Sequence, residues 1–149
     1  MAEINLTQSE ADLLLALEKH RVDEQQWDYP GLGGQIRIPL ISIDKREDFF
    51  LDIERGSINL AKGKYQNRAR HVVILARLDF GGGPHQNPDG EIIPCPHLHL
   101  YREGFGDKWA FAIPPDKFSN PTDPWQTLQD FMRYCNITQP PLIRQGLFI

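Results

Sequence analysis

The alternation of apolar and polar positions divides the chain into a helix, a series of strands and a second helix. Thr7 with Glu10 three residues later forms a capping box, and Ala11, Leu14, Leu15, Ala16 and Leu17 continue a helix-forming run to about His20 or Val22. His20 then sits in the last turn, where a cation complements the helix dipole. Turn residues fill 25–34, with Tyr29-Pro30-Gly31 and Gly33-Gly34. Strands are predicted over 35–44, 49–54, 58–60 and 72–80, with the basic segment 62–70 partly looped at Gly63. In the first of these the apolar phase changes near Pro39-Leu40, which predicts a bulge or an edge position. Val72–Phe80 is apolar on both faces through Leu75, the mark of a central strand. Asp123 at an N-cap and Pro124 at N1 open a second helix. Its stripe of Trp125, Leu128, Phe131, Met132 and Cys135 is core packing. The tail, Leu142-Ile143 and Leu147-Phe148-Ile149, reads as a last short strand.

The segment Gly82–Trp109 holds the candidate chemistry, with three of the five histidines. In a strand His97, His99 and Tyr101 share one face, roughly 6–7 Å apart, and Leu98 and Leu100 share the other. Glu103–Asp107 reads as a turn and Lys108–Ile113 as the returning strand of a hairpin. Trp109, Phe111 and Ile113 then join Leu98 and Leu100 in the core, which puts Lys108 on the histidine face. A loop rich in Gly, Pro, Asn and Asp carries His85 back toward that face.

Short connections and this element order predict one α+β domain over residues 1–149. Its frame is a strongly curved, mostly antiparallel sheet or small barrel of about six strands, with an N-terminal and a C-terminal helix packed on it. Length and composition fit: 149 residues, 40% hydrophobic and 24% charged. No apolar run is long enough to span a bilayer, and Met-Ala-Glu-Ile-Asn lacks a signal-peptide layout. Two cysteines without metal spacing, Cys95 and Cys135, point to a reducing cytoplasm and no membrane partner. The net charge of −4 argues against wholesale nucleic-acid coating. Yet Arg55, Lys62, Lys64, Arg68, Arg70 and Arg77 form a run with no acid between Arg55 and Leu78. That is either a local anion site or a solvated face.

Three chemistries fit these residues. The leading expectation is RNA or phosphodiester handling by a metal-independent endoribonuclease. His85, His97 and His99 would act as acid and base, with Tyr101 and Lys108 beside them. Arg68, Arg70, Lys64 and Arg77 would hold phosphate, and no cofactor would be needed. Small curved-sheet domains with such a face are similar to bacterial toxin ribonucleases, which implies a cognate antitoxin as partner. The second is one divalent transition metal on His85, His97 and His99, with Glu103 or Asp89 as a further ligand. The run His97-Leu98-His99-Leu100-Tyr101-Arg102-Glu103 resembles the first half of a cupin metal motif. It departs where Ala110 stands in place of a glycine, and no histidine follows His99. The third is a binding module without turnover, using Tyr65, Tyr101, Phe105 and Trp109. The chain has no P-loop, nucleophile elbow or dinucleotide fingerprint.

A wider resemblance rests on Arg77-Leu78-Asp79, Pro84-His85-x-Asn87-Pro88-Asp89-Gly90, Pro96-His97-Leu98-His99-x-Tyr101, Glu103-Gly104 and Asp107-Lys108-Trp109-Ala110. The combination resembles a family of small bacterial proteins of unknown function, often encoded in mobile or defence-related neighbourhoods. The resemblance implies a toxin or defence role and assigns no residue a catalytic part.

Overall fold

The computed structural model describes residues 5–58 and 61–146. Helix α1 spans Gln8–Ala16 and helix α2 spans Pro124–Tyr134. The strands are β1 (Lys19–Arg21), β2 (Gln26–Asp28), β3 (Gln35–Ser42), β4 (Asp48–Arg55), β5 (Gly63–Ala69) and β6 (Val73–Phe80), followed by β7 (His85–Gln86), β8 (Ile92–Ile93), β9 (His97–Leu100), β10 (Ala110–Ala112), β11 (Ile137–Gln139) and β12 (Leu142–Arg144). Eight of them form one sheet in the order β10-β9-β6-β5-β4-β3-β1-β11, antiparallel throughout except for the β1–β11 pair. β12 pairs with β2, and β7 with β8, in two small ribbons. The α+β class is as expected, but the sheet does not close into a barrel. Its edges are β10 and β11.

The two faces of the sheet differ sharply. Ile38, Leu40, Phe49, Leu51, Ile53, Tyr65, Ala69, Leu78 and Leu98 form one core with Ala11 and Leu14 of α1 and Leu128, Phe131 and Met132 of α2. Both helices therefore cover the same face. The opposite face of β4, β5, β6 and β9 is polar: Asp52 and Glu54, Lys64, Gln66 and Arg68, Arg77 and Asp79, His97 and His99.

One irregularity sets which side chains reach that polar face. Opposite β5, Ala76 pairs with Asn67 and Ile74 with Arg68, so Leu75 has no partner and forms a β-bulge. Before the bulge, the odd positions Val73 and Leu75 point to the core. After it, the even positions Ala76, Leu78 and Phe80 do. This accounts for the two apolar faces read in the sequence. It also turns Arg77 and Asp79 outward. In β3 the expected bulge is absent: pairing with β4 runs without interruption from Gln35 to Ile41. Ile36, Ile38, Leu40 and Ser42 keep one face, and Ile43 is simply exposed. Pro39 is tolerated because the pairing with β1 stops at Leu40.

Helix α1 ends earlier than its apolar run. Leu17 is already extended as the C-cap, and His20 lies in β1, its ring 2.9 Å from Glu18. Lys19 ends the helix. It is fully buried, and its Nζ donates to the carbonyls of Leu15 (2.8 Å), Leu17 (2.9 Å) and Cys135 (2.8 Å). One ammonium thus caps the carbonyl ends of both helices, where their dipoles are negative. The strand predicted at 58–60 falls mostly outside the described residues, as do Leu147, Phe148 and Ile149; Ile58 itself is exposed. Phe111 and Trp109 do not join the core as expected. β10 is an edge strand, Phe111 is 43% exposed, and Trp109 stacks under Arg102 at 4.3 Å. No helix among the described residues is long and apolar enough to cross a membrane.

Replacing Lys19 with Met takes the donor from one buried and two part-buried carbonyls, and the variant is expected to lose about 3 kcal/mol in urea unfolding at pH 7. Burial pulls the amine down to about 8 from the usual 10.5. The folded chain therefore releases this proton before the unfolded chain does. Wild-type stability gains from this group as pH rises through 8 toward 10.5, and Lys19→Met has no such gain. The gap between the two proteins is expected to widen between pH 7 and 9.5.

Candidate functional site

The register of β6, β9 and β10 builds the site. Asp79 pairs with His97, and Arg77 with His99. His97 in turn faces Ala112, and His99 faces Ala110. Two rows of outward side chains therefore cross the sheet. One runs Glu54, Lys64, Asp79, His97; the other runs Asp52, Gln66, Arg77, His99. The two alanines leave room above β10 for the β7–β8 ribbon to fold over the histidines.

That ribbon is held by Asn87, which is 4% exposed. Its Nδ2 donates to the Ala110 carbonyl (2.9 Å), and its Oδ1 accepts from the Ala110 N–H (2.8 Å). A side-chain amide thus pairs with the outer edge of β10 as another strand would, and blocks that edge. Gly90, at φ +91°, closes the Asn87–Glu91 turn in a conformation that glycine adopts without strain. The ribbon delivers His85, whose ring centre lies 4.6 Å from that of His99 and 5.8 Å from that of His97. His97 and His99 are 5.0 Å apart.

Carbonyl acceptors fix the protons of these rings. His99 Nδ1 lies 2.8 Å from the Asp107 carbonyl, His97 Nδ1 3.3 Å from the Pro94 carbonyl, and His85 Nε2 2.8 Å from the Lys108 carbonyl. A carbonyl only accepts, so each of these nitrogens carries the hydrogen and the other ring nitrogen of the neutral imidazole is a lone pair. The Nε2 lone pairs of His97 and His99 both meet Asp79 Oδ2, at 3.4 and 3.3 Å. All three atoms lie within 4.8 Å of one another. Arg77 braces the group. Its Nε and Nη2 donate to the Asp79 carboxylate at 3.0 and 3.1 Å, its Nη1 donates to Asp107 at 2.6 Å, and Nη2 also lies 3.0 Å from His99 Nε2.

The electrostatics follow from this packing. Burial opposes the charge on Asp79, but the two bonds from the Arg77 guanidinium outweigh it and hold the carboxyl at about 2. Burial drives His97 below its usual value, with Asp79 pulling the other way, so the ring is neutral at pH 7. His97 and His99 are almost fully enclosed. Asp79 keeps a quarter of its side chain exposed and, with His97, borders a cleft of about 390 Å³ that Lys62, Lys64, Gly82, Gly83 and Cys95 also line.

The structure therefore gathers His85, His97, His99 and Arg77, with Lys64 one strand away from Asp79. It does not gather the rest of the expected set. Tyr101 turns to the core side once β9 ends at Leu100, where its hydroxyl accepts from Leu6 N–H and donates to the Leu6 carbonyl. Only the backbone of Lys108 reaches the histidines; its side chain is exposed. Arg68 lies over Phe50 and forks onto Asp52 at 2.5 and 3.0 Å. Arg70, at positive φ in the turn after β5, pairs with Glu47. Both charges are thus neutralised away from the site. Glu103 binds the Gln8 N–H and Asp89 the Glu91 N–H, so neither reaches the cluster as a ligand. Asp79 and Asp107 stand in the sequence as part of the family pattern, but the sequence reading gives them no place in the site. The alternation Arg77-x-Asp79 at the end of a strand is the one local signal for Asp79.

A model for DUF6978, a family of unknown function, matches residues 6–137. The chain belongs to this family. The match agrees with the resemblance noted in the sequence as far as membership of an uncharacterised family goes, and it brings no assigned activity to the DUF6978 site. No curated protein and no solved structure matches the chain.

Asn87→Ala removes both bonds to Ala110 and leaves its buried N–H and C=O unpaired; a loss of about 2–3 kcal/mol is expected in chemical unfolding. His85 should then react faster with an acylating reagent than in the parent protein. For Asp79 the folded value lies below the ordinary 3.8. Its stabilising effect is complete above pH 4 and disappears as pH falls toward 2, so the stability deficit of Asp79→Asn, about 2 kcal/mol at pH 7, should shrink over that interval.

Proposed function

We propose that this DUF6978 protein is a metal-dependent hydrolase of phosphate esters, with one divalent transition metal on His97 Nε2, His99 Nε2 and a carboxylate oxygen of Asp79. One observation carries the reading: two imidazole lone pairs are aimed at a single carboxylate oxygen. For His97 no donor stands between them. Lone pairs that face each other repel, and burial makes protonation of His97 harder rather than easier. A cation at their meeting point removes the conflict.

The distances favour the same reading. Donor atoms on a metal with bonds of about 2.1 Å stand roughly 3.0–3.4 Å apart at octahedral to tetrahedral angles. The two nitrogen-to-oxygen distances here are 3.3 and 3.4 Å, and the two histidine nitrogens lie within 4.8 Å of each other, so a metal would draw the two rings together. Each ligating histidine would keep its other N–H on a backbone carbonyl, the arrangement that fixes ring and tautomer in metal sites. Arg77 would release its bond to His99 Nε2 and keep those to Asp79 and Asp107, so the carboxylate stays oriented. Two histidines and one carboxylate leave positions open for water and substrate. The chemistry a metal would supply there is a bound water acidic enough to react near neutral pH and a Lewis acid for the ester oxygen. His85, whose ring centre lies 4.6 Å from that of His99 and whose Nδ1 has no hydrogen bond among the described residues, would be the proton carrier beside it.

A second reading rests on Arg77. Its guanidinium touches both His99 Nε2 and Asp79 and can itself serve as the site's cation. In that case the histidines cleave RNA by acid–base chemistry without metal, and a cognate antitoxin would cover the same face.

Elemental mass spectrometry of protein purified without chelator or histidine tag separates the two. The expected result is close to one zinc, iron or manganese per chain, lost in His97→Ala and Asp79→Ala and kept in His85→Ala. Metal-free protein that still cleaves RNA, with cleavage lost in His85→Ala, would establish the second reading instead.

A further inference from the structure

The cleft beside Asp79 has chemistry that the metal reading does not use. Lys64 stands directly across from Asp79 on the polar face, one strand spacing of about 4.8 Å away. On the other side of Asp79 stands His97. Lys64, Asp79 and His97 therefore form a line across three strands that leads from a cationic side chain to the proposed metal. Lys62 enters the same cleft from the start of β5. A Cβ added at Gly82 would lie 3.8 Å from Lys62 Cε, so the lysine stem runs past the glycine wall. Lys62 has no acidic partner among the described residues. Lys64 has one, Glu54 at 3.5 Å, with both side chains well exposed.

The far wall is bare backbone. Gly82 and Gly83 line the cleft without side chains. Gly81 before them, at φ +70°, is packed so closely that a Cβ would stand 2.1 Å from the Ala61 carbonyl. That close approach fixes the glycine wall against the segment that carries Lys62. The cleft thus has two ammonium groups, a fixed wall, one acid at its rim (Glu54), and Asp79 and His97 at its inner end.

We infer that Lys62 and Lys64 form a phosphate-binding subsite that holds the anionic end of the substrate while its ester reaches the metal at Asp79, His97 and His99. This deepens the proposed function and rests on it for the placement of the reacting group. The ligand chemistry is a phosphate group with free oxygens. A free phosphorylated metabolite and a nucleic-acid backbone share that chemistry. Compact ammonium groups suit such a point anion, and the exposed position keeps the contact sensitive to salt.

The test uses full-length protein and inorganic phosphate as the probe. Phosphate affinity is measured by calorimetry for the parent and for Lys62→Ala/Lys64→Ala, with metal content determined on the same samples. The expected result is at least a tenfold weaker phosphate affinity in the double variant with metal content unchanged. Equal affinity in the two proteins, or no phosphate binding to either, overturns the inference. Metal-free protein whose phosphate binding still needs the lysines keeps the subsite and defeats the metal reading. Metal-loaded protein whose phosphate binding ignores the lysines does the reverse. Competition of phosphate binding by a short RNA, against competition by a small sugar phosphate, then tells the two ligand sources apart.

Discussion

A single extra residue in β6 decides what the polar face of this sheet can do. Strand side chains alternate with a period of two, so one residue out of phase exchanges the two faces for everything that follows. Leu75 is that residue. Without it, Arg77 and Asp79 would point into the apolar core together with Val73, two charges in a place that cannot solvate them. With it, they point at His99 and His97. The bulge also has a stabilising role of its own, because the free Leu75 carbonyl accepts the Tyr101 N–H at 3.0 Å. The chain that leaves β9 is thereby tied to the place where β6 changes phase, and Tyr101 is turned inward onto Leu6.

The other strands keep the cluster in register and the helices keep the sheet in place. Both helices lie on the apolar face, so the polar face is free of helical cover. Among the described residues the β7–β8 ribbon folds over its β10 end, and Asn87 fixes that ribbon on the edge of β10. The cluster is therefore closed above His99 and open beside Asp79. On the apolar side, buried Lys19 joins the ends of α1 and α2 to β1. A cation held by three carbonyls is costly to bury and strongly directional, so it defines where both helices stop.

The period-two reading of His97-Leu98-His99 in the sequence was sound because β9 is regular and Leu98 is buried. The capping box at Thr7 and the Asp123-Pro124 start are local signals, and both helices begin where they indicate. What could not be read depended on partners distant in sequence. Asp79 belongs to the site only through the β6–β9 pairing and the bulge, neither of which leaves a mark in the sequence of β6 apart from its double apolar face. Lys19 looks like one more charge at a helix end until α2 arrives beside it. The basic run from Arg55 to Arg77 reads as one surface, yet its members have different surroundings. Arg68 and Arg70 meet acids from β4 and the loop before it, and Arg77 meets Asp79 and Asp107. The strands missed, such as β1, β7, β8 and β11, have two or three residues each, too short for any periodicity to register.

The arginine at the centre of the cluster bears on how the proposed metal and a guanidinium would share one site. Asp79 and Asp107 bring two negative charges and Arg77 one positive charge, and the three imidazoles are neutral when their lone pairs are free. The local balance is then one net negative charge, and a divalent ion would reverse its sign. An anion arriving in the open cleft restores the balance, and Lys62 and Lys64 stand on its way in. A metal without an anion and an anion without a metal are each electrostatically worse placed than the two together. If the proposed metal and phosphate both bind, this charge arrangement would couple occupancy of the inner and outer parts of the cleft, with no need for any part of the backbone to move.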